Sequence, residues 1–190
     1  MALTQPIRDR KHVKAILKYY KYRAEHRNQL LIVIAIYTAL RISDILRIRC
    51  EQVYDFKNRR VRKHLQLTEK KTGKNKIIEL NKAIIKALDA YFSQANPNPN
   101  EPLILNALTG KAISRVHAYR IIREAADAIG VSHNVGCHSL RKTFGYHSWK
   151  QGTPPVVLME IFNHSSYSTT KKYLGVSQDD QNAVYKSLHF

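Results

Sequence analysis

The residues with chemical potential fall in four short stretches. The first is Thr38-Ala39-Leu40-Arg41-Ile42-Ser43-Asp44, and the second is a lysine-rich turn, Lys70-Lys71-Thr72-Gly73-Lys74. The third, His138-Ser139-Leu140-Arg141, and the fourth, Asn163-His164-Ser165-Ser166-Tyr167-Ser168-Thr169-Thr170-Lys171-Lys172-Tyr173, lie in the second half. Arginine forks grip two oxygens of an anion and stay charged at any working pH. Imidazoles move protons near neutrality, and a phenol is a nucleophile only with a base and a positive field beside it. Taken singly, each residue has a plainer reading: Tyr173 is one of 11 tyrosines, and a lone one is usually a packed aromatic. Arg41 could simply complement a helix C-terminus. His138 and His164 are two of nine histidines. Tyr167, three residues after His164, reads as a packing or nucleic-acid contact residue.

The charge balance narrows the partner. The chain has 190 residues with 32 Lys plus Arg against 14 Asp plus Glu, a net charge of +18. Residues 8–27 hold eight basic side chains against Asp9 and Glu25, with Tyr19, Tyr20 and Tyr22 interleaved; residues 57–76 hold nine against Glu69 alone. Such a surplus implies a polyanion, and DNA, RNA or an acidic membrane surface would satisfy the same electrostatics. The longest apolar stretch, Leu30 to Leu40, is too short to cross a bilayer and reads as a buried helix. No secretory signal is visible at the start, and Cys50 and Cys137 lack metal-ligand spacing, so reduced thiols in the cytoplasm are expected. There is no H-E-x-x-H pattern, and no metal or other cofactor is expected.

Taken together, the four stretches resemble the catalytic domain of the tyrosine recombinase (phage integrase) family. Its pattern is an arginine in a T-G-L-R-I-S-E-like segment, a hairpin lysine in a K-T-G-K-like turn, an H-x-L-R box, a G-H-S-S-like histidine and a tyrosine nine residues beyond it. All five occur here in order, over about residues 7–175. The resemblance implies a site of Arg41, Lys71, His138, Arg141, His164 and Tyr173, with Asp44 as the supporting acid. Lys70, Lys74 and Lys76 neighbour Lys71 and leave the hairpin lysine open. Three departures stand out: Ala39 for the usual Gly, Lys142 where a second His often follows the box arginine, and Phe162-Asn163 for Leu-Gly before His164.

What the resemblance implies is site-specific cleavage and rejoining of duplex DNA. Arg41 and Arg141 would stabilise the phosphoryl oxygens, His138 would act as base toward Tyr173, Lys71 would protonate the departing 5′ oxygen, and His164 would hydrogen-bond a phosphate oxygen. The product is a 3′-phosphotyrosine, formed without metal or ATP. Arg59, Arg60, Lys70, Lys74 and Lys142 are candidate DNA contacts. Four protomers acting on two sites are expected. The expected division is a catalytic domain over 1–176 and a tail, 177–190, that docks on a neighbouring protomer. With only residues 1–26 before the apolar helix, the family's N-terminal core-binding domain is not expected, as in short members such as the fimbrial-phase invertases, unless the chain is part of a longer integrase. The alternatives are a non-catalytic DNA-binding regulator on the same scaffold and a relaxing enzyme of the type IB topoisomerase kind.

The elements that must position these groups follow from periodicity and punctuation. Helices are predicted over 7–25, 27–40, 43–50 with Ser43 as N-cap, 82–93, 114–129, 139–151, a helix opened by Thr153-Pro154 through Phe162, and 168–174 ended by Gly175. Val184 and Leu188 give the tail helical spacing. Between Val53 and Leu80, strand-like runs around a Thr72-Gly73 turn predict a small antiparallel sheet. Ala95 to Pro102 is a proline-broken loop within one domain. Leu140, Phe144 and Trp149 are assigned to the core. The fold class is mainly α (α+β), a helical bundle carrying a small antiparallel sheet.

Overall fold

A computed structural model describes residues 4–176 and 178–187. Its helices are α1 (Arg10–Tyr22), α2 (His26–Tyr37), α3 (Ile42–Ile45), α4 (Lys82–Gln94), α5 (Arg115–Ala128), α6 (Cys137–Lys150), α7 (Pro155–Phe162), α8 (Tyr167–Leu174) and α9 (Gln178–Ser187). The strands are β1 (Tyr54–Asp55), β2 (Arg60–Val61), β3 (His64–Thr68), β4 (Asn75–Glu79), β5 (Leu105–Asn106) and β6 (Lys111–Ala112).

Helix α2 is the hub. Residues Leu30 to Ile36 are all buried, so the helix is apolar on every side and must be surrounded; α1, α4, α5 and α6 pack around it. Each fully buried Leu, Ile or Val contributes roughly 1.5–3 kcal/mol. Helix α1 turns Ile16 and Tyr20 inward, and α4 turns in Ile84, Ala87, Leu88 and Tyr91, its N-cap Asn81 accepting from the Ala83 and Ile84 amides. A second apolar cluster of Ala39, Leu158, Phe162 and Leu174, with Phe144, Trp149 and Tyr173 against it, joins α6, α7 and α8. Gly145 permits this junction: a Cβ there would lie 2.7 Å from the Phe162 ring. Leu140 is fully buried in the main core.

Two expectations are corrected here. The helix predicted over 43–50 starts one residue earlier and stops at Ile45, with Arg41 rather than Ser43 as N-cap. Its second half is drawn into extended pairing with the proline-rich loop: Leu103 N–H donates to Ile48 O and Cys50 N–H to Glu101 O, and Arg49 bridges Pro102. A tertiary partner thus outcompetes the local helix ladder. The single sheet is instead three separate two-stranded antiparallel ladders, β1-β2, β3-β4 and β5-β6. The two-residue ladders are too short for alternation to register in the sequence. The β3-β4 hairpin is the long one, paired from His64↔Glu79 to Thr68↔Asn75, and its tip is the lysine-rich turn. Among the described residues no helix is long and apolar enough to cross a membrane.

Candidate active site

The chain leaves α2 through Ala39, held in the left-handed region at φ 55°, which delivers Arg41 to the mouth of α3. Arg141 lies one turn into α6 and is 1% exposed, the largest fully buried side chain. Both guanidiniums converge on the C-terminal end of α7. The Phe162 carbonyl accepts from Arg141 Nη2 at 2.7 Å and from Arg41 Nη2 at 3.4 Å. Lys76 Nζ donates to the preceding carbonyl, Ile161 O, and Arg141 Nη1 to Ala39 O. Carbonyls left open at a helix C-terminus carry partial negative charge, so three cations are gathered without a carboxylate for each.

The carboxylates present are Glu69 and Asp44, 1% and 3% exposed. Glu69 Oε2 accepts from Arg41 Nη1, from Thr72 Oγ1 and from Asn163 Nδ2, each at 2.9 Å, and Lys76 Nζ is 3.8 Å from Oε1. Burial alone would raise the Glu69 carboxyl, but the bonds from Asn163, Thr72 and Arg41 outweigh it and hold the carboxyl below its ordinary value. Asp44 Oδ1 accepts from the Lys70 amide at 2.9 Å, fixing the start of the turn. Arg141, with no carboxylate paired to it among the described residues, is pushed down to about 10, first by burial and then by Arg41. Its Nε is buried without a hydrogen-bond partner.

Asn163 ends α7 in the left-handed conformation, φ 54°, and swings the chain so that His164 enters the same cleft. His164 Nδ1 and Thr170 Oγ1 share a 2.9 Å hydrogen bond; with the hydroxyl donating, Nε2 carries the proton and is free to donate to an oxyanion. Burial, then Arg141, Arg41 and Lys71, push this ring down to about 4. His138, on the first turn of α6, is lowered too, by loss of water and then by Arg141 and Lys142. Ser166 caps α8 by accepting from the Thr169 amide, and α8 carries Tyr173 to within 4.6 Å of the His164 ring, centroid to centroid. The Arg141 guanidinium carbon and Lys142 Nζ lie 5.8 and 5.7 Å from the Tyr173 ring centroid.

Arg41, Lys71, His138, Arg141, His164 and Tyr173 therefore line one cleft of about 840 Å³. The family pattern of the phage integrases matches residues 8–179. The chain belongs to the phage integrase family. It is 39% identical over 186 residues to the probable integrase/recombinase YoeC of Bacillus subtilis strain 168, covering 98% of this chain and 97% of that one. It is 32% identical to the tyrosine recombinase XerC of Pelobacter propionicus over 63% of this chain, a match that spans only 39% of that protein. Among solved structures, the XerA recombinase superposes with a TM-score of 0.79 at 18% identity, over 99% of this chain and 68% of that one. The catalytic domain of bacteriophage HP1 integrase superposes with a TM-score of 0.63 at 20% identity, over 97% and 95%. The mainly helical fold is thus that of a tyrosine recombinase catalytic domain, and the relatives make this chain a tyrosine-type site-specific recombinase.

Not every candidate lies at the integrase cleft. Lys70 lines it beside Lys71, whereas Lys74 does not; Lys76 sits beneath it, its amine committed to Ile161 O and Glu69. Arg59 and Arg60 are exposed on the β1-β2 hairpin, at the end of the β3-β4 ladder away from the lysine turn. Lys142 departs from the expected DNA contact: it is 8% exposed and its amine donates to Thr4 O at 2.6 Å. One helical position after a buried arginine it faces inward, where burial lowers its pKa. The expected tail begins at residue 177, outside the described residues, but α9 is tied to α6 of its own chain through Lys150 and Asp180. Sequence reasoning passed over Glu69 and Arg115, which also lines the cleft. Glu69 had a signal, as the one acid in the basic run 57–76; Arg115 had none beyond its place at the start of a helix.

Proposed function

We propose that this recombinase cleaves and rejoins duplex DNA through a covalent bond between Tyr173 and a 3′ phosphate. The observation that carries the reading is the charge balance of the closed end of the cleft. Arg41, Arg141 and Lys76 stand against Glu69 and Asp44, leaving one positive charge over, beside an unpartnered Arg141 Nε. A phosphodiester carries one negative charge and neutralises that surplus; the second charge that develops in the transition state falls to Lys71 at the cleft mouth. The Tyr173 oxygen attacks phosphorus, its proton passing to His138, whose depressed pKa keeps the ring neutral as a base must be. The bond to the 5′ oxygen breaks, and that oxygen takes a proton from Lys71. Attack by a 5′ hydroxyl on the phosphotyrosine reverses the step and rejoins the strand. His164 Nε2 donates to a non-bridging oxygen. Arg59, Arg60, Lys70, Lys74 and Arg115 supply phosphate contacts around the cleft. The family resemblance supports a tetramer on two sites, with the segment from 177 onward reaching a neighbouring protomer.

Incubation with nicked candidate-site DNA followed by denaturation in SDS tests the chemistry. A DNA-linked band in the wild type that vanishes in Tyr173→Phe while salt-sensitive DNA binding persists is the expected result. A band of equal strength in Tyr173→Phe would remove Tyr173 from its role.

A further inference from the structure

We propose that Glu69 is a positioning residue of the recombination site, locking the turn that bears Lys71 against Arg41 and against the segment that bears His164. This rests on the phosphotyrosine chemistry set out above. Among the described residues, its carboxylate touches all three pieces: Arg41 after α2, Thr72 in the β3-β4 turn, and Asn163 at the end of α7. These segments are 28 and 94 residues from Glu69 in sequence on the Arg41 and Asn163 sides, so chain connectivity cannot hold them in register. The backbone of Glu69 closes the same turn, its amide donating to Lys74 O at 3.0 Å and its carbonyl accepting from the Gly73 amide at 2.9 Å. The side chain of Lys71 itself is exposed; its direction is therefore set by the turn beneath it, not by packing around it.

The bonding is lopsided. Oε2 takes three donors, while Oε1, equally buried, takes no hydrogen bond and has the Lys76 ammonium at 3.8 Å. Concentrating the donors on one atom brings Thr72, Arg41 and Asn163 to a single point. Asn163 is half of the device. It stands in the left-handed region, which asparagine enters more readily than most side chains but at a higher cost than glycine, and from there its side chain makes the bond to Glu69.

That pairing supplies a test that separates positioning from stability. In Asn163→Gly the backbone strain is relieved while the bond to Glu69 is lost. Thermal stability should change little, the relieved strain offsetting part of the lost bond, while single-turnover cleavage of nicked duplex DNA should fall roughly 10- to 100-fold, as expected when a reacting group is misplaced by about 1 Å. A loss of stability with unchanged cleavage would overturn the proposal. Glu69→Gln should lower cleavage at least as far with DNA affinity kept within about threefold, because the neutral amide oxygen holds Arg41 less firmly than the carboxylate does and leaves Lys76 without its counter-charge.

Replacing the 5′ bridging oxygen by sulfur reads the route of the effect. A thiolate leaves without being protonated, so a defect arising from a misdirected Lys71 is rescued on that substrate, as in a Lys71→Ala control. Rescue of Glu69→Gln supports positioning of the turn; no rescue, with Lys71→Ala rescued, overturns it. Hydrogen exchange at the amides of residues 70–74 in DNA-free protein settles the matter apart from the chemistry. Faster exchange in Asn163→Gly is expected, and an unchanged rate overturns the proposal even if no covalent DNA band is found for the wild type.

Discussion

Replacing Arg141 by methionine should nearly abolish cleavage while leaving the fold about as stable as before. The guanidinium is 1% exposed and held at about 10, well below the ordinary arginine value, chiefly by burial. At about 1.4 kcal/mol per pH unit, that gap disfavours the charged form by about 3 kcal/mol. For a cation whose folded pKa is lowered, the penalty is present in full below the folded pKa and is relieved only as pH rises past it. At pH 7 the fold carries all of it, and methionine, of similar length, removes it. Against this gain, two acceptors lose the Arg141 donor. Ala39 O loses its Arg141 donor, while Phe162 O keeps Arg41 at 3.4 Å. An unpaired buried carbonyl costs about 1–3 kcal/mol, so the opposing terms nearly cancel and the net change should lie within about 1 kcal/mol. Removing one member of a paired buried salt bridge would instead cost about 3–5 kcal/mol. Cleavage should fall about 10³-fold or more, because a charge-stabilising arginine of a phosphoryl transition state is lost. Urea unfolding at pH 7 and single-turnover covalent-complex formation check the two halves. Destabilisation by 3 kcal/mol or more would refute the claim that Arg141 awaits its counter-charge from the substrate.

Acid should weaken the fold through His164. Its folded pKa of about 4 lies below that of the unfolded ring, so its contribution is intact above about pH 6.5 and is lost as pH falls toward 4; His164→Gln should flatten that part of a stability-pH curve. Lys70→Gln should reduce the salt slope of DNA binding by about one, as expected for one lost phosphate contact, whereas Lys142→Met should leave the slope unchanged because its amine is bonded to Thr4 O. Deleting residues 177–190 should leave covalent-complex formation on a single site intact and reduce pairing of two sites in a gel-shift assay; equal loss of both would place the tail within the chemistry.

Sequence legibility followed the range of the forces involved. The helices around Ile16, Leu88 and Ile122 were readable because their apolar faces repeat within a few residues. The four motif stretches were readable by register, most of all the nine residues from His164 to Tyr173. The second half of the expected 43–50 helix was not, because the partner that unwinds it arrives with Glu101 and Leu103. Nor was the fate of Lys142, whose type says surface while its place beside Arg141 on α6 turns it inward.

The sequence by itself determined the order of the helices, the family and the residue types available to a phosphoryl site. These depend on local periodicity and on spacing along one chain. Only the tertiary structure decided how that site is balanced. The C-terminal carbonyls of α7 became acceptors for three cations, Glu69 became the meeting point of three segments, and Lys76 was withdrawn beneath the cleft while Lys71 stayed at its mouth. Those outcomes turn on which groups lose water together. Burial is a property of the packed molecule, and in a low-dielectric interior it decides which charge must find a partner and which is left for the substrate to neutralise.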